Sequence, residues 1–422
     1  MQRYESYKPS GIPWVGDIPS HWGVKKNKFL LSERKAVVGK DAPNFKLLSL
    51  TLQGVILRDM ENPKGKFPAE FDTYKQVSPD DLIFCLFDVE ETPRTVGLAK
   101  HHGMITGAYT VTRCNEQVSS AFLYYYYLSL DEGKQLRSLY TGLRNVITRD
   151  AFFSLATPFP PREEQDRIVT FLDQKTAEID AAISKKERLI ELLDEQKSIL
   201  INSLVTKGVN PETVTQASGL SWGGDIPAHW KIRYLKNLFR ETDSRTSTGE
   251  EPLFSLRMSG QLLRHNDVSD KPITPDQLIG YKIVSPGQLV MNRMRASMGL
   301  FAVVHEPGLV SPDYAVFDCI DDISQAYFLA LFRNSAIRGV FLTESKGLGT
   351  GSSGFLRLYS DRFGGIKVPC PPREEQEKIV LAINDHFIKF ADVERSVKIE
   401  IEKLTVMRSI LIADAVTGKM RV

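Results

Sequence analysis

Cysteine is scarce in this chain of 422 residues, and its four copies are scattered. They are Cys85, Cys114, Cys319 and Cys370, and no two of them form a Cys-x-x-Cys pair. This pattern argues against a cysteine zinc site and favours a reducing compartment over one in which disulfides form. No apolar run is long enough to span a membrane, and the N-terminus lacks a signal-peptide core. We therefore expect a cytoplasmic protein with no membrane partner.

The chain also lacks a large excess of charge of either sign, with a formal net charge of +2. Residues 162–208 carry 8 basic and 10 acidic side chains, and residues 373–422 carry 9 of each. Any positive surface must therefore lie in the remaining parts of the chain, and its net charge is modest. Charge alone does not indicate a nucleic-acid-binding protein.

Motifs for catalysis are missing as well. The sequence has no Asn-Pro-Pro-aromatic or Asp-Pro-Pro-Tyr methyltransferase motif, no Walker loop, no His-Glu-x-x-His and no Ser/His/Asp set common to both halves. Residues 349–354 match Gly-x-Gly-x-x-Gly, but no strand–helix–strand unit surrounds them. Because residues 141–145 differ from them in the corresponding region of the first half, we interpret both segments as specificity loops.

The sequence instead contains one unit twice. The sequence Pro-Pro-Arg-Glu-Glu-Gln occupies residues 160–165 and again 371–376, an offset of 211. The sequence Gly-Asp-Ile-Pro-x-His-Trp occupies residues 16–22 and again 224–230. Between these motifs the offset drifts by a few residues, as expected when insertions and deletions fall in surface loops. Each half therefore consists of a shared scaffold with variable loops, followed by a segment of fixed length.

Each fixed segment predicts one long helix. A proline at the first helical position and two glutamates in the first turn suit a helix N-terminus. Gly208 followed by Pro211 is a stop signal. The Ser-Ile-Leu of residues 198–200 recurs at 409–411, again at an offset of 211, so the length is conserved between the copies. Roughly 44 residues at about 1.5 Å each give a rod of about 65 Å, which suggests a spacer.

Apolar residues keep a heptad period within these helices, as in a two-helix coiled coil. The heptad column consists of Leu172, Ile179, Lys186, Leu193 and Leu200 in the first copy and Ile383, Phe390, Val397, Leu404 and Leu411 in the second, with Leu189 in a neighbouring column. Lys186 interrupts the column, although a lysine can lay its methylenes along it. Glu400 interrupts the neighbouring column of the second copy. An amphipathic helix lying on its own domain is the alternative interpretation.

The chain divides into a first domain, a first helix, a second domain and a second helix. Their ranges are 1–158, 159–209, 210–369 and 370–422. Strands are predicted over 81–87, 109–113, 288–291 and 314–319, and helices over 119–130 and 324–332. The predicted fold class is α+β, with two similar mixed α/β domains separated by two long antiparallel helices and related by a pseudo-two-fold internal repeat.

Two aromatic or imidazole features receive a structural interpretation. His21 and His229 belong to the duplicated motif, but the sequence shows no acidic or cysteine partner for them at a repeated spacing. We expect a turn above a buried tryptophan rather than a ligand or a general base. The four tyrosines of residues 124–127 would point all round a helix, so core packing is favoured over base stacking.

Arginine and asparagine are the side chains that pair bidentately with guanine and adenine edges. Asn292, Arg293 and Arg295 follow a predicted strand in the second half. Plain surface charge is an equally good interpretation of each, because many contacts with DNA go to phosphate alone. The candidate DNA-binding residues are Arg94, Lys100, His102, Arg144 and Asn145 in the first half and Asn292, Arg293, Arg295, Lys346, Thr350, Ser352 and Ser353 in the second.

The order of these motifs, repeated twice over the whole chain, resembles the specificity subunit of type I restriction–modification systems. The resemblance implies that each domain reads one half of a bipartite double-stranded DNA site. It implies that the paired helices set the spacing and dock two modification (methyltransferase) subunits, which restriction subunits then join. It also implies that S-adenosylmethionine, ATP and magnesium belong to those partners, and that this chain binds no cofactor or metal and carries no catalytic residue.

Two other hypotheses stay open. A coiled-coil scaffold that binds only proteins would show no DNA binding with any partner. An enzyme with an unrecognised site would need catalytic residues common to both halves, and the sequence offers no plausible set.

Overall fold

The computed structural model describes residues 2–60, 70–140, 145–348 and 355–422. Its helices are α1 (Ser120–Glu132), α2 (Arg149–Ser154), α3 (Arg162–Lys207), α4 (Pro275–Leu278), α5 (Gln325–Arg333), α6 (Ser335–Glu344), α7 (Ser360–Gly364) and α8 (Arg373–Val416). The strands of the first half are β1 (Tyr7–Pro9), β2 (Asp17–Pro19), β3 (Gly23–Lys26), β4 (Leu31–Glu33), β5 (Leu48–Thr51), β6 (Gly54–Leu57), β7 (Lys75–Val77), β8 (Leu82–Phe84), β9 (Val96–Leu98), β10 (Gly103–Ile105), β11 (Thr110–Cys114) and β12 (Ala156–Phe159). Those of the second half are β13 (Thr215–Ala217), β14 (Asp225–Pro227), β15 (Lys231–Tyr234), β16 (Phe239–Thr242), β17 (Phe254–Leu256), β18 (Leu262–Arg264), β19 (Lys282–Val284), β20 (Leu289–Asn292), β21 (Phe301–Val303), β22 (Gly308–Val310), β23 (Tyr314–Cys319), β24 (Lys346–Leu348), β25 (Phe355–Arg357) and β26 (Lys367–Cys370).

The boundary between the two compact units of the chain falls inside the long helices. The first unit is Met1–Glu187 together with Lys398–Val422, and the second is Arg188–Val397. Each unit therefore contains one predicted domain and a part of both α3 and α8. No helix in the described ranges is both long and apolar enough to cross a bilayer.

The same strand topology occurs in each unit. The first has a four-stranded antiparallel sheet in the order β4-β11-β8-β9, and the second has β16-β23-β20-β21. The two-stranded pairs β1-β2, β3-β12, β5-β6 and β7-β10 correspond to β13-β14, β15-β26, β17-β18 and β19-β22. Among the described residues, β24-β25 is a pair that only the second unit has. The predicted strands and helices fall on β8, β11, β20, β23, α1 and α5, so those predictions are confirmed.

Each core is completed by the far end of a long helix. In the first unit the main core combines α1 and Trp22 with Ile412 and Val416 near the end of α8. In the second unit the main core combines α5 and Trp230 with Val205 near the end of α3. Burial of such apolar side chains is the main favourable contribution to folding, so these helix ends stabilise the domain that they reach. The tyrosines 125–127 are buried in the first core, as predicted.

The glutamine of the duplicated Pro-Pro-Arg-Glu-Glu-Gln motif ties the start of each long helix to its domain. The backbone N–H of Ser119 donates a 2.8 Å hydrogen bond to Gln165 Oε1, and that of Ser324 donates a 2.7 Å bond to Gln376 Oε1. Both serines are N-caps, of α1 and α5. Because an unpaired buried N–H is costly, each glutamine fixes where its long helix begins.

The second glutamate of the same motif is the acidic partner of each duplicated histidine. His21 Nε2 lies 2.8 Å from Glu164 Oε2, and His229 Nε2 lies 2.7 Å from Glu375 Oε2. The interpretation that these histidines have no acidic partner was wrong. Each partner lies 143 or 146 residues further along the chain, and only the folded structure brings the two side chains together. The tryptophan beneath each histidine is buried, so the predicted structural turn is confirmed.

Glycines with positive φ end both long helices against the same tryptophans. Gly208 has a φ of +79°, which confirms the predicted stop, and a Cβ there would lie 3.3 Å from Trp230 Cζ2. Gly418 has a φ of +76°, and a Cβ there would lie 3.1 Å from Trp22 Cη2 and 2.3 Å from Pro19 Cδ. Only glycine fits such a left-handed and crowded position without strain.

We expect the replacement Glu164→Gln to lower the free energy of unfolding at pH 7 by about 1–3 kcal/mol, because it weakens hydrogen bonds to a buried charge. Burial alone would raise the pKa of the Glu164 carboxyl, but hydrogen bonds from Tyr4 and His21 outweigh it and hold the pKa below its ordinary value of 4.5. The stabilisation is therefore complete above 4.5 and is lost as the pH falls through the folded-state pKa.

Chemical unfolding followed between pH 3 and pH 7 measures this effect. The matched control is Glu163→Gln at the exposed neighbouring position, which should unfold like the parent chain. If Glu164→Gln and Glu163→Gln lose stability with the same pH dependence, the ionised Glu164 does not hold the helix start.

Candidate functional site

The long helices pack antiparallel within each unit. In the first unit Asp180 Oδ1 lies 2.9 Å from Arg408 Nε, and further along α3 the ammonium of Lys186 pairs with the carboxylate of Glu400. The partner's number falls as the number along α3 rises, which is the antiparallel order. In the second unit the ammonium of Lys197 lies 4.4 Å from the centre of the Phe387 ring.

The heptad column lies on the less exposed side of both helices. Its buried members are Leu172, Ile179, Ile383, Val397 and Leu411, and its half-buried members are Leu193, Leu200, Phe390 and Leu404. Leu189, which belongs to the neighbouring column, is 41% exposed. The column therefore faces inward, while the neighbouring column is partly open to solvent.

The two polar interruptions noted in the sequence meet each other. Lys186 replaces an apolar residue in the column of α3, and Glu400 does so in the neighbouring column of α8. The hydrogen bond from Lys186 holds the pKa of the exposed Glu400 carboxyl below its ordinary value. The pair thus lies at the solvent-facing edge of the apolar column, where an exposed ion pair contributes little to stability.

An apolar groove of about 780 Å³ runs beside the helices of the first unit. Phe171 and Ile179 of α3 line one wall, and Ile399, Met407 and Ile410 of α8 line the other. Other large apolar side chains on the helices are also exposed: Leu192, Ile199, Leu381, Ile388, Val393 and Val406. An exposed apolar groove of this kind is typical of an interaction site.

The candidate residues of the first unit have different environments. Arg94 Nη1 lies 3.4 Å from Asp131 Oδ2, and its side chain is only 14% exposed, so it is directed into the domain, where Asp131 also pairs with Lys134 at 2.8 Å. Lys100 and His102 are exposed. Asn145 has a φ of +47°, and its carbonyl oxygen accepts a 2.9 Å hydrogen bond from Asp88 N. Arg144 lies outside the described residues.

In the second unit, Arg293 and Arg295 lie in the turn after β20 and have different environments, although they are only two residues apart. Arg293 Nη2 lies 2.5 Å from Glu241 Oε1 and is mostly buried, whereas Arg295 is exposed, with Nη1 3.0 Å from Met258 Sδ. Asn292 Oδ1 accepts a 3.1 Å hydrogen bond from Met294 N and so shapes the turn. Lys346 is exposed on β24. Thr350, Ser352 and Ser353 lie outside the described residues.

Two further arginines lie at this turn and were missed in the sequence. Arg257 is exposed at the tip of the β17–β18 hairpin. Arg333 ends α5, and its Nη2 would lie 2.1 Å from a Cβ added to Gly260 in the same hairpin tip. The repeated glycine at positions 54 and 260 was the only available signal, because it marks the hairpin turn as part of the shared scaffold.

This arrangement suits the binding of a polyanion better than chemistry on a small substrate. Exposed guanidinium groups on loops can contact phosphates and base edges. Within the described ranges, no group of three or more His, Cys, Asp or Glu side chains is placed to hold a metal ion.

No family model matches the chain. A curated relative does: the specificity subunit of the type I restriction enzyme EcoKI of Escherichia coli strain K12 is 21% identical over 368 residues, which cover 82% of this chain and 76% of that protein.

Solved structures give the same result for the fold. One chain from a type I restriction–modification system superposes with a TM-score of 0.65 at 16% identity, covering 96% of this chain and 99% of that one. The HsdS subunit from Thermoanaerobacter tengcongensis gives a TM-score of 0.52 at 16% identity, covering 96% and 98%. The predicted fold class, two similar mixed α/β domains with two long helices, is confirmed. In sequence and in fold, the chain is thus similar to the specificity subunits of type I restriction enzymes, as the order of its motifs indicated.

Proposed function

We propose that this chain is the DNA-specificity subunit of a type I restriction–modification complex, in which each unit reads one half of a bipartite double-stranded site. The observation that carries the proposal is one strand topology used twice with unlike loops. Residues 85–95 join β8 to β9, whereas the shorter segment 293–300 joins β20 to β21. Two unlike half-sites require two readers that share a scaffold and differ in their loops, because loops carry recognition while the scaffold positions them.

The cations of the loops supply the DNA contacts in this proposal. Binding to phosphate contributes affinity that falls as salt rises, and only contacts with base edges or with DNA shape select a sequence. The mostly buried Arg94 and Arg293 are paired with carboxylates and support their loops, while the exposed Lys100, His102 and Arg295 remain available to DNA. Recognition therefore depends on a few side chains in each unit, which agrees with the modest net charge of the chain.

Catalysis belongs to partner subunits in this proposal. Methyltransferase, ATPase and endonuclease activities, with S-adenosylmethionine, ATP and magnesium, would reside on the modification and restriction subunits. The support is that the sequence consists of two scaffolds and two helices and contains no motif for these activities.

The exposed apolar surface of the helices fits the docking of two modification subunits, one on each unit. Burying it would release ordered water and stabilise the complex. In the first unit the groove between Phe171 and Met407 is the best-defined part of this surface.

The two helices also fit a role in setting the gap between the half-sites. α3 has 46 residues and α8 has 44, and each is one continuous helix. A continuous helix resists bending and stretching more than a flexible linker does, so its length is a defined distance.

The main test exchanges the region 25–157 for that of a relative and maps the methylated sites of host DNA. We expect one half of the target to change and the other half to stay, because the second unit is untouched. A change in both halves would contradict two separate readers. If the methylated sites did not depend on the sequence of this chain at all, the result would support a scaffold that binds only proteins.

The docking surface is tested by the double replacement of Met407 and Ile410 with lysine. Both side chains are about half exposed, so the fold should tolerate the change, while a buried charge at the interface should weaken partner binding roughly 10-fold or more. Co-purification with the modification subunits measures the effect. Replacing the exposed Val214 with lysine, away from the helices, is the control that should bind normally. Equal binding by both variants would rule out this groove as the docking site.

The spacing role is tested by inserting four residues after Leu193 and four after Val393, two positions that face each other in the antiparallel register. Each helix would grow by about 6 Å, and the non-specific gap of the target should lengthen by one or two base pairs. Four residues are close to one helical turn and keep the apolar column nearly in line. Methylation mapping of the insertion variant gives the gap directly, and an active variant with an unchanged gap and unchanged half-sites would refute the proposal.

A further inference from the structure

Three exposed arginines of the second unit lie around the tip of the β17–β18 hairpin. Arg257 at the hairpin tip, Arg295 in the turn after β20 and Arg333 at the end of α5 form what we call the arginine cluster. The hairpin tip joins them, because Met258 Sδ contacts Arg295 and Gly260 abuts Arg333. Within the part of the chain that the structure describes, no carboxylate oxygen lies within 4.0 Å of their side-chain nitrogens. Three guanidinium groups around one hairpin tip, without a carboxylate partner among the described residues, are available to bind an anion.

Arg295 is more firmly positioned than a freely moving surface arginine. Its Nη1 contacts the thioether of Met258 at 3.0 Å. Burial raises the pKa of the Tyr314 phenol, and the nearby charge of Arg295 opposes that rise. The turn beneath it is fixed, because Leu358 N donates a 2.9 Å hydrogen bond to the carbonyl of Arg293. A side chain fixed in this way loses little conformational entropy when it binds, as reading a base edge requires.

We infer that Arg295 reads a guanine in the half-site of the second unit, and that Arg257 and Arg333 contact the phosphates beside it. This inference rests on the proposed function and deepens it. The two N–H groups on one edge of a guanidinium match the O6 and N7 acceptors of guanine in the major groove. Arg293, two residues away, is excluded as the residue that reads the base, because its guanidinium group already forms an ion pair with Glu241.

The corresponding hairpin tip of the first unit carries no arginine, so the inference concerns the second unit. Thr51 stands at the hairpin position of Arg257, and Leu52 beside it is 65% exposed. The loop after β8 exposes Asp88, Glu90 and Glu91, and its arginine, Arg94, lies 3.4 Å from Asp131. Ionised carboxylates only accept hydrogen bonds, so they cannot donate to the O6 and N7 acceptors of guanine.

The test uses the complex of this chain with its modification subunits and measures binding to duplexes that carry each base in turn at every target position. The second half-site is the half that the exchange of 25–157 leaves unchanged, and we expect it to contain guanine. Arg295→Lys should keep the charge but lose the paired N–H groups, so preference for guanine at one position should fall roughly 10-fold to 100-fold. Arg257→Ala should instead weaken binding to all sequences alike and reduce the salt dependence.

Arg293→Lys is the matched control, because a lysine there can still pair with Glu241 and the preference for guanine should persist. A second half-site without guanine, or an Arg295→Lys variant with unchanged base preference, overturns the inference while leaving the two-reader function standing. If the parent complex shows no sequence preference that depends on this chain, the proposed function itself fails and the inference fails with it.

Discussion

Everything in this chain depends on how each long helix is joined to a domain at its first turn. The glutamine of one duplicated motif accepts a hydrogen bond from the backbone N–H of the N-cap serine of α1 or α5. The glutamate beside it contacts the histidine of the other duplicated motif. These hydrogen bonds lie in or beside a core, where a missing partner leaves a polar group without water. The start of each helix therefore cannot slide relative to the loops that its domain presents.

The helices combine an inward column that holds them together with an outward apolar surface that is exposed in the part of the chain that the structure describes. Inside, Leu172, Ile179 and Leu411 of the heptad column are buried, and the Lys186–Glu400 ion pair lies at the solvent-facing edge of the column. Outside, the apolar groove of the first unit exposes side chains that a soluble protein normally buries. The first feature suits a fixed length and the second suits an assembly.

Recognition follows from the differences between two copies of one scaffold. The topology and the helix joints are shared, so they cannot distinguish one DNA sequence from another. The environments of the loop arginines are not shared: Arg94 of the first unit is mostly buried beside Asp131, whereas Arg295 of the second is exposed and has no carboxylate partner within the described residues. A difference of this kind can direct the two units to different half-sites without changing the fold.

The sequence alone determined the duplication, the bounds of α3, the start of α8 and the main strands, because caps, heptads and turn residues act over a few neighbouring positions. It did not show that α8 ends at Val416, since the predicted segment ran to residue 422. It also determined the resemblance, because motif order is a property of the chain. Only the tertiary structure decided that Glu164 meets His21 across 143 residues and that the ends of α3 and α8 complete a core. It also separated Arg293 from Arg295, which look alike in sequence. The physical reason is that burial and counter-charge are set by side chains far away along the chain, and no local pattern encodes them.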